Sequence, residues 1–303
     1  MPKQTTNTVF LVRPAAFGYN HETAGSNRFQ EYVLTDATTI QAQAIKEFDA
    51  AVAQLRAHGV KVYVFEDTAE PPKPDAVFPN NWISVGQDGR IILYPMYTPN
   101  RQAEVRADIV EAIGKLKTNA RLLDWSVKAA AGQYLEGTGS VVFDHINKMA
   151  YACLSPRTHI TLLNELVQIM GYQSFVFNAF GADKTPIYHT NVMMAIGEGF
   201  AVVCMESIDD MPTYNAMRAL LDRSNLALVD ISLEQMANFA GNMLALNVDN
   251  QQLLVMSERA YNSLDAKQLN QLEHYATLVP LPIPTIERIG GGSARCMIGE
   301  LFL

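Results

Sequence analysis

Residues 81–96 read NWISVGQDGRIILYPM. Two short apolar runs flank Gln87-Asp88-Gly89, and an Asp-Gly pair between such runs signals a hairpin, because the tight turn needs a positive φ. The design recurs at 139–154, GSVVFDHINKMAYACL, with a polar turn from Asp144 to Lys148. It recurs again at 190–205, TNVMMAIGEGFAVVCM, around Gly197-Glu198-Gly199, and at 242–256, NMLALNVDNQQLLVM, around Val248-Asp249-Asn250-Gln251.

After each hairpin the pattern predicts a helix. In 100–117, Val105, Ile109, Ile113 and Leu116 recur at helical spacing. The others fall near 158–170, 212–224 and 258–275, the last open to a break in two. A short strand then follows each, at 120–124, 172–177, 226–230 and 277–281. The unit is strand, strand, helix, strand. A fifth unit needs both ends of the chain: SARCMIGELFL supplies its first strand and TNTVFLVR its second. The helix 37–58 and the strand VKVYVF complete it. Apolar strands at the two termini would pair with each other and close a ring.

The residues at or just before the first strand of each unit are Asn81, Glu136, His189, Asn242 and Cys296, spaced by 55, 53, 53 and 54 residues. A period in this range marks a repeat array or a propeller. Equivalent positions of a closed rotational repeat converge on its axis. The spacing therefore predicts that Glu136, His189 and Cys296 meet at one mouth.

Composition excludes several classes. The chain has 303 residues, 49% of them hydrophobic, so it can bury a sizeable core. A formal charge of −8 argues against nucleic acid, which needs a basic stripe. Three cysteines in such a length are no disulfide framework. The N-terminal MPKQTTNTVF lacks the apolar core of a signal peptide, and no run approaches the roughly 20 apolar residues of a membrane span. These features predict a reduced, cytoplasmic protein with neither nucleic acid nor membrane as partner. A homo-oligomer stays open. No CxxC, HExxH, EF-hand or Walker pattern occurs, so neither metal nor cofactor is expected.

Each candidate has a bland alternative. A free cysteine is usually a small buried hydrophobe, and Cys153 and Cys204, inside apolar strands, keep that reading. Cys296 differs: Gly290, Gly291 and Gly292 precede it, and Arg295 adjoins it. The glycines allow a ligand or another backbone to approach, and a nearby cation or histidine lowers a thiol pKa. Of six histidines, only His189 falls on the five-fold series. Glu136, in YLEGTGS, reads alone as a solvated loop residue; with His189 and Cys296 it becomes a candidate to orient a base.

At this point the chain resembles the guanidino-group-modifying enzymes over essentially its full length: arginine deiminases, dimethylarginine hydrolases, succinylarginine dihydrolase and amidinotransferases. GGGSARCM looks like their nucleophile segment, LEGTGS like the stretch whose glutamate binds the guanidino head, and IYHTNV stands where their catalytic histidine does. CLSPRTH and TPNRQAEV are similar to the segments whose arginines hold the substrate α-carboxylate, which implicates Arg157 and Arg101. PDAVFPNNW resembles the first acidic motif and retains Asp75. The resemblance implies an α/β fold, the five-bladed α/β propeller or pentein, with five ββαβ-type modules about a pseudo-five-fold axis closed by the terminal strands. It implies one catalytic domain over 1–303 with a small-molecule partner, catalysis by Cys296, His189 and Glu136, and substrate binding by Asp75, Asn81, Arg101, Arg157 and Asn191.

Two positions depart from the common pattern. Asn81 stands where many members have a second head-group aspartate, and His189-Thr190-Asn191 replaces His-x-Asp. A guanidinium is a fixed cation that favours carboxylates, whereas a ureido group is neutral and offers one carbonyl acceptor. Amides in place of acids tilt the reading from arginine towards citrulline, and the chain looks most like the citrulline-utilisation hydrolase branch. The implied reaction gives ornithine, carbon dioxide and ammonia. Rival readings are an arginine-type deiminase, dimethylarginine hydrolase or amidinotransferase with the same triad, and a non-catalytic binding protein like the initiation factor that shares this propeller. The stretch 14–35, PAAFGYNHETAGSNRFQEYVLT, has the length of a loop covering the site. The role of Asn242 stays open between site and turn.

Overall fold

The computed structural model describes residues 2–303. Its first five strands are β1 (Thr8–Arg13), β2 (Lys61–Glu66), β3 (Ile83–Val85), β4 (Arg90–Leu93) and β5 (Arg121–Asp124). Six more follow as β6 (Val142–Asp144), β7 (Met149–Cys153), β8 (Gln173–Phe177), β9 (Met194–Ile196), β10 (Phe200–Val203) and β11 (Ala227–Asp230). The last are β12 (Leu244–Val248), β13 (Gln251–Ser257), β14 (Thr277–Leu281) and β15 (Gly299–Glu300).

They form five three-stranded sheets: β15-β1-β2, β3-β4-β5, β6-β7-β8, β9-β10-β11 and β12-β13-β14. In each, the first strand is antiparallel to the second. The hairpin turns sit where the polar residues placed them, and Gly89 and Gly199 take the positive φ that such turns demand. A helix then carries the chain back, so that the third strand lies parallel to the second in the sheets ending in β2, β5, β8 and β11. The expected fifth sheet forms from both chain ends, with Val9 opposite Glu300 and Phe10 opposite Gly299.

The helices obey amphipathic spacing. Ala37–Ala57 buries Ile40, Ala44, Phe48, Ala51, Val52 and Leu55, and the Asp36 carboxylate caps it by accepting from the Thr39 N–H. The predicted helix 100–117 is in fact two, Pro99–Gln102 and Ala107–Leu116, because Arg106 is extended. The region 258–275 also divides, into Glu258–Ser263 and Ala266–Glu273. There Leu264 is extended, and Asp265 starts a new helix with a capping box to Gln268.

By contacts the chain groups into two compact units. One holds Thr6–Gly137 and Leu281–Leu303; the other holds Thr138–Pro280 and the residues up to Thr5. In the first, Phe10, Val12, Trp82, Ile83, Val85, Ile91, Leu93, Ile109, Ile113 and Leu301 share one apolar cluster. Val85 also bridges to Leu301, which joins the first strands of its two sheets. In the second, β9 touches both β6 and β12. No helix among the described residues is long and apolar enough to cross a membrane.

Candidate active site

Four of the five residues that precede the first strands lie on or next to a single helical turn, which the strand-based reading had missed; Asn242 does not. Asn81 ends the turn Pro79–Asn81, Glu136 leads into Gly137–Ser140, His189 caps Thr190–Val192, and Cys296 sits inside Ala294–Met297. The segment from Ser293 is thus helical where a strand was expected, and β15 begins only at Gly299. A helical turn stacks side chains at its N-terminal end and aims backbone N–H groups past it.

In the first unit the turn that carries Cys296 packs on the turn that carries Asn81. Behind Asn81 lies Arg101, fully buried. Its Nε and Nη2 donate to the two carboxylate oxygens of Glu104 at 2.9 Å each, Nη1 donates to Asn81 Oδ1 at 2.8 Å, and Nη2 also reaches the Phe78 carbonyl at 3.1 Å. Asp75 and Glu136 stand 3.8 and 3.9 Å from the same guanidinium. Asp75 accepts from Asn20 Nδ2 at 2.7 Å, and Glu136 from the Tyr97 N–H at 2.9 Å. Gly137 holds φ at +47°, and a β-carbon there would sit 2.5 Å from the Asn80 carbonyl oxygen, so glycine is what lets Glu136 lie against the Asn81 turn.

One guanidinium therefore faces three buried carboxylates. Burial lowers and the acids raise the Arg101 pKa, and the acids prevail, so it stays charged. Burial, with Asp75 and Glu136 adding repulsion and Arg101 opposing, pushes Glu104 up to about 7. Asn81 Oδ1 accepts from Arg101, while its Nδ2 is buried with no hydrogen-bond partner.

The glycines before Cys296 admit close neighbours, another backbone among them, as expected. β-Carbons at Gly290 and Gly292 would lie 2.8 and 2.9 Å from the ring of Phe78, and Gly291 has φ +64° against Asn27 and Gln30. They admit the Phe78 ring and the backbone and side chains of Asn27 and Gln30. Arg295, beside the thiol in sequence, donates to Glu300 at 2.7 Å and to the Ile298 carbonyl at 2.9 Å. The segment 14–35 is hydrogen-bonded to both the Asp75 motif and the glycine run. Asn20 is fixed on Asp75, Asn27 donates to the Gly291 carbonyl, and the Glu31 N–H donates to the Arg288 carbonyl, while Leu34 is 96% exposed.

The second unit gathers His189, Asn191, Arg157 and Asn242, all buried. The Arg157 guanidinium lies 4.8 Å over the Tyr188 ring, and that ring stands 4.6 Å from the His189 imidazole. Ser155 Oγ donates to the Tyr188 carbonyl at 2.8 Å, and Ser140 Oγ to the Arg157 carbonyl at 2.7 Å. Thr190 Oγ1 donates to the Ser140 carbonyl at 2.6 Å and accepts from the Cys153 N–H at 2.9 Å, tying the histidine turn to its neighbouring sheet. Asn242 Nδ2 donates to the Asn191 carbonyl at 2.9 Å, so it supports that turn. Burial pushes the Cys153 and Cys204 thiols up to about 11 and 12, in keeping with inert core residues.

Glu104, Asn20, Thr190 and Tyr188 were not singled out in the sequence. Glu104 had a signal, its i+3 spacing from Arg101; the other three had none beyond proximity to a motif.

The family model for N,N dimethylarginine dimethylhydrolase, eukaryotic, matches residues 13–303. No curated protein matches the sequence. Among solved structures, the chain is similar to the substrate-bound N-terminal domain of ArgZ, a cyanobacterial arginine dihydrolase of the ornithine–ammonia cycle (16% identity, 98% and 99% of the two chains, TM-score 0.73). It is also similar to AgrE in complex with L-arginine (15% identity, 96% of this chain and 39% of that one, TM-score 0.74). A third likeness is to the dimethylarginine hydrolase of Pseudomonas aeruginosa complexed with citrulline (12% identity, 97% and 99%, TM-score 0.68). At such identities these likenesses show the fold, the pentein α/β propeller of five three-stranded modules. The full-length family match shows the rest: the chain belongs to the N,N dimethylarginine dimethylhydrolase family of guanidino-group-modifying enzymes, and is a hydrolase of the C–N bonds of arginine-like groups.

Proposed function

We propose that the enzyme is a cysteine-dependent ureidohydrolase that converts citrulline into ornithine, carbon dioxide and ammonia. The Cys296 thiolate attacks the ureido carbon, and ammonia leaves with a proton supplied by His189. The S-linked carbamoyl intermediate is then attacked by a water that gives its proton to His189. The thiol is released, and the resulting carbamate loses carbon dioxide to leave ornithine. One water is consumed. Glu136 and Asp75 accept from the head-group N–H donors, and Arg157 binds the α-carboxylate. The matched segment also nominates Arg101 for that carboxylate, although four acceptors already engage it.

The observation that carries this reading is the Asn81 amide. Its oxygen is committed to Arg101, so it offers the head group a buried N–H₂ donor. A ureido oxygen accepts from that donor; a guanidinium, which has donors only, does not. A second reading, an arginine-type substrate, is favoured by the three carboxylates around one guanidinium, since a cationic head would offset their charge. Arg101 itself already offsets part of that charge through its ion pair with Glu104. Three thiols free of disulfides fit a reducing, cytoplasmic setting.

The test is ornithine release from L-citrulline and L-arginine in parallel, with Cys296→Ala as control. Cysteine-dependent ornithine from citrulline alone supports the proposal; turnover of arginine alone sinks the choice of substrate but keeps the mechanism.

A further inference from the structure

We infer that Arg101 and Glu104 act as the specificity lock of the site. They are positioning residues that hold the Asn81 amide in one of its two orientations and so decide whether the pocket selects an oxygen-bearing or an all-donor head group. The inference rests on the ureidohydrolase reading and adds to it the residues that enforce substrate class.

A primary amide can turn over and exchange its acceptor for its donor with little change of shape. At Asn81 one orientation is excluded by chemistry. The atom 2.8 Å away is Nη1 of a guanidinium that has donors and no acceptor. Turning the amide would set N–H against N–H in a buried place, so Oδ1 must face Arg101 and Nδ2 must face away.

Arg101 is in turn denied any freedom. Glu104 grips it through two parallel bonds of 2.9 Å, and the Phe78 carbonyl takes a third. A planar fork held at both ends cannot rotate to bring a different edge to Asn81. Asp75 and Glu136 flank the fork at 3.8 and 3.9 Å and favour its charged form. The order of control runs from Glu104 to Arg101 to Asn81 to the head group. Donors at the substrate's nitrogens find Asp75 and Glu136, while its one acceptor finds Asn81.

The experiment measures binding in the chemically inert Cys296→Ser protein, by calorimetry with citrulline and with arginine. Arg101→Gln/Glu104→Gln keeps the buried pair neutral and replaces the donor fork with an amide that can accept or donate, so Asn81 is free to turn. The expected result is a fall of about tenfold or more in the preference for citrulline over arginine, the worth of one mismatched hydrogen bond. Arg101→Lys, which still offers only donors, should preserve the preference. If the double variant weakens both ligands equally and leaves their ratio unchanged, Arg101 grips the carboxylate common to both, and the lock is overturned. Should the double variant not fold, Glu104→Gln alone is read for the same ratio: a smaller fall supports the lock, and an unchanged ratio overturns it. Failure of the underlying reading shows earlier and separately, as preference for arginine, or no binding of either ligand, in the Cys296→Ser protein with its lock intact; that result removes the inference with it.

Discussion

The ring of Phe78 occupies the space that a side chain at Gly292 would require, with a would-be β-carbon only 2.9 Å from the ring. The Phe78 carbonyl also accepts from Arg101. One residue thus braces both the segment leading to Cys296 and the cluster beneath Asn81. We expect Gly292→Ala to lower stability by about 1–3 kcal/mol through overpacking, read as a reduced denaturant midpoint. Adding Phe78→Leu should recover part of the loss, and a midpoint unchanged by Gly292→Ala would refute the contact.

Thr190 links the turn after His189 to β7 and Ser140 through one donated and one accepted bond. Thr190→Val keeps the shape but removes the hydroxyl that serves the Ser140 carbonyl and the Cys153 N–H, both buried. Losing the partner of a buried polar group costs about 1–3 kcal/mol, so the two losses together predict roughly 2–6 kcal/mol in chemical denaturation. Turnover should drop as well, because His189 rides on that turn. Retention of both stability and rate would show that water replaces the hydroxyl.

Glu104 gives stability a definite pH dependence. Burial raises its folded carboxyl from 4.5 to about 7, against the pull of Arg101. Between those values the folded protein holds a proton that the unfolded chain has released. The contribution is therefore full below the unfolded pKa and is lost as pH rises through the folded one. Denaturant midpoints of the native protein should fall between about pH 5 and 8 relative to Glu104→Gln, whose side chain does not titrate. Parallel curves would mean that Glu104 stays ionised throughout.

Only one of three thiols should react in the native state. Cys153 and Cys204 are buried, with thiols held at about 11 and 12. A haloacetamidine reagent near neutral pH should add a single label at Cys296, located by mass spectrometry, and none in Cys296→Ala. Labelling of Cys204 first would break the proposed assignment of the nucleophile.

Sequence periodicity disclosed the five modules because hairpin turns and alternating apolar runs are local signals. The same period brought Asn81, Glu136, His189, Asn242 and Cys296 to equivalent places ahead of their strands. The helical turns that carry most of them were illegible, since three or four residues are too few to show a helical period. The glycines before Cys296 announced a close approach but not its partner, because Phe78 is more than 200 residues away. Arg295 read as a neighbour for the thiol, and its ion pair with Glu300 was not visible in the sequence. Arg101 read as a substrate ligand by its motif, while Glu104, three residues on, was passed over; only burial makes that pair an internal one.

The pairing of β1 with β15 also bears on kinetics. Each hairpin closes over a handful of residues, whereas joining Val9 to Glu300 closes nearly the longest loop the chain contains. Loop-closure entropy places such a contact late in folding. Cys296 lies three residues before β15, so its surroundings are completed only when that late pairing forms. On dilution from denaturant, circular dichroism should recover first and reaction with the haloacetamidine later. The interval between the two signals times the closing of the fifth sheet.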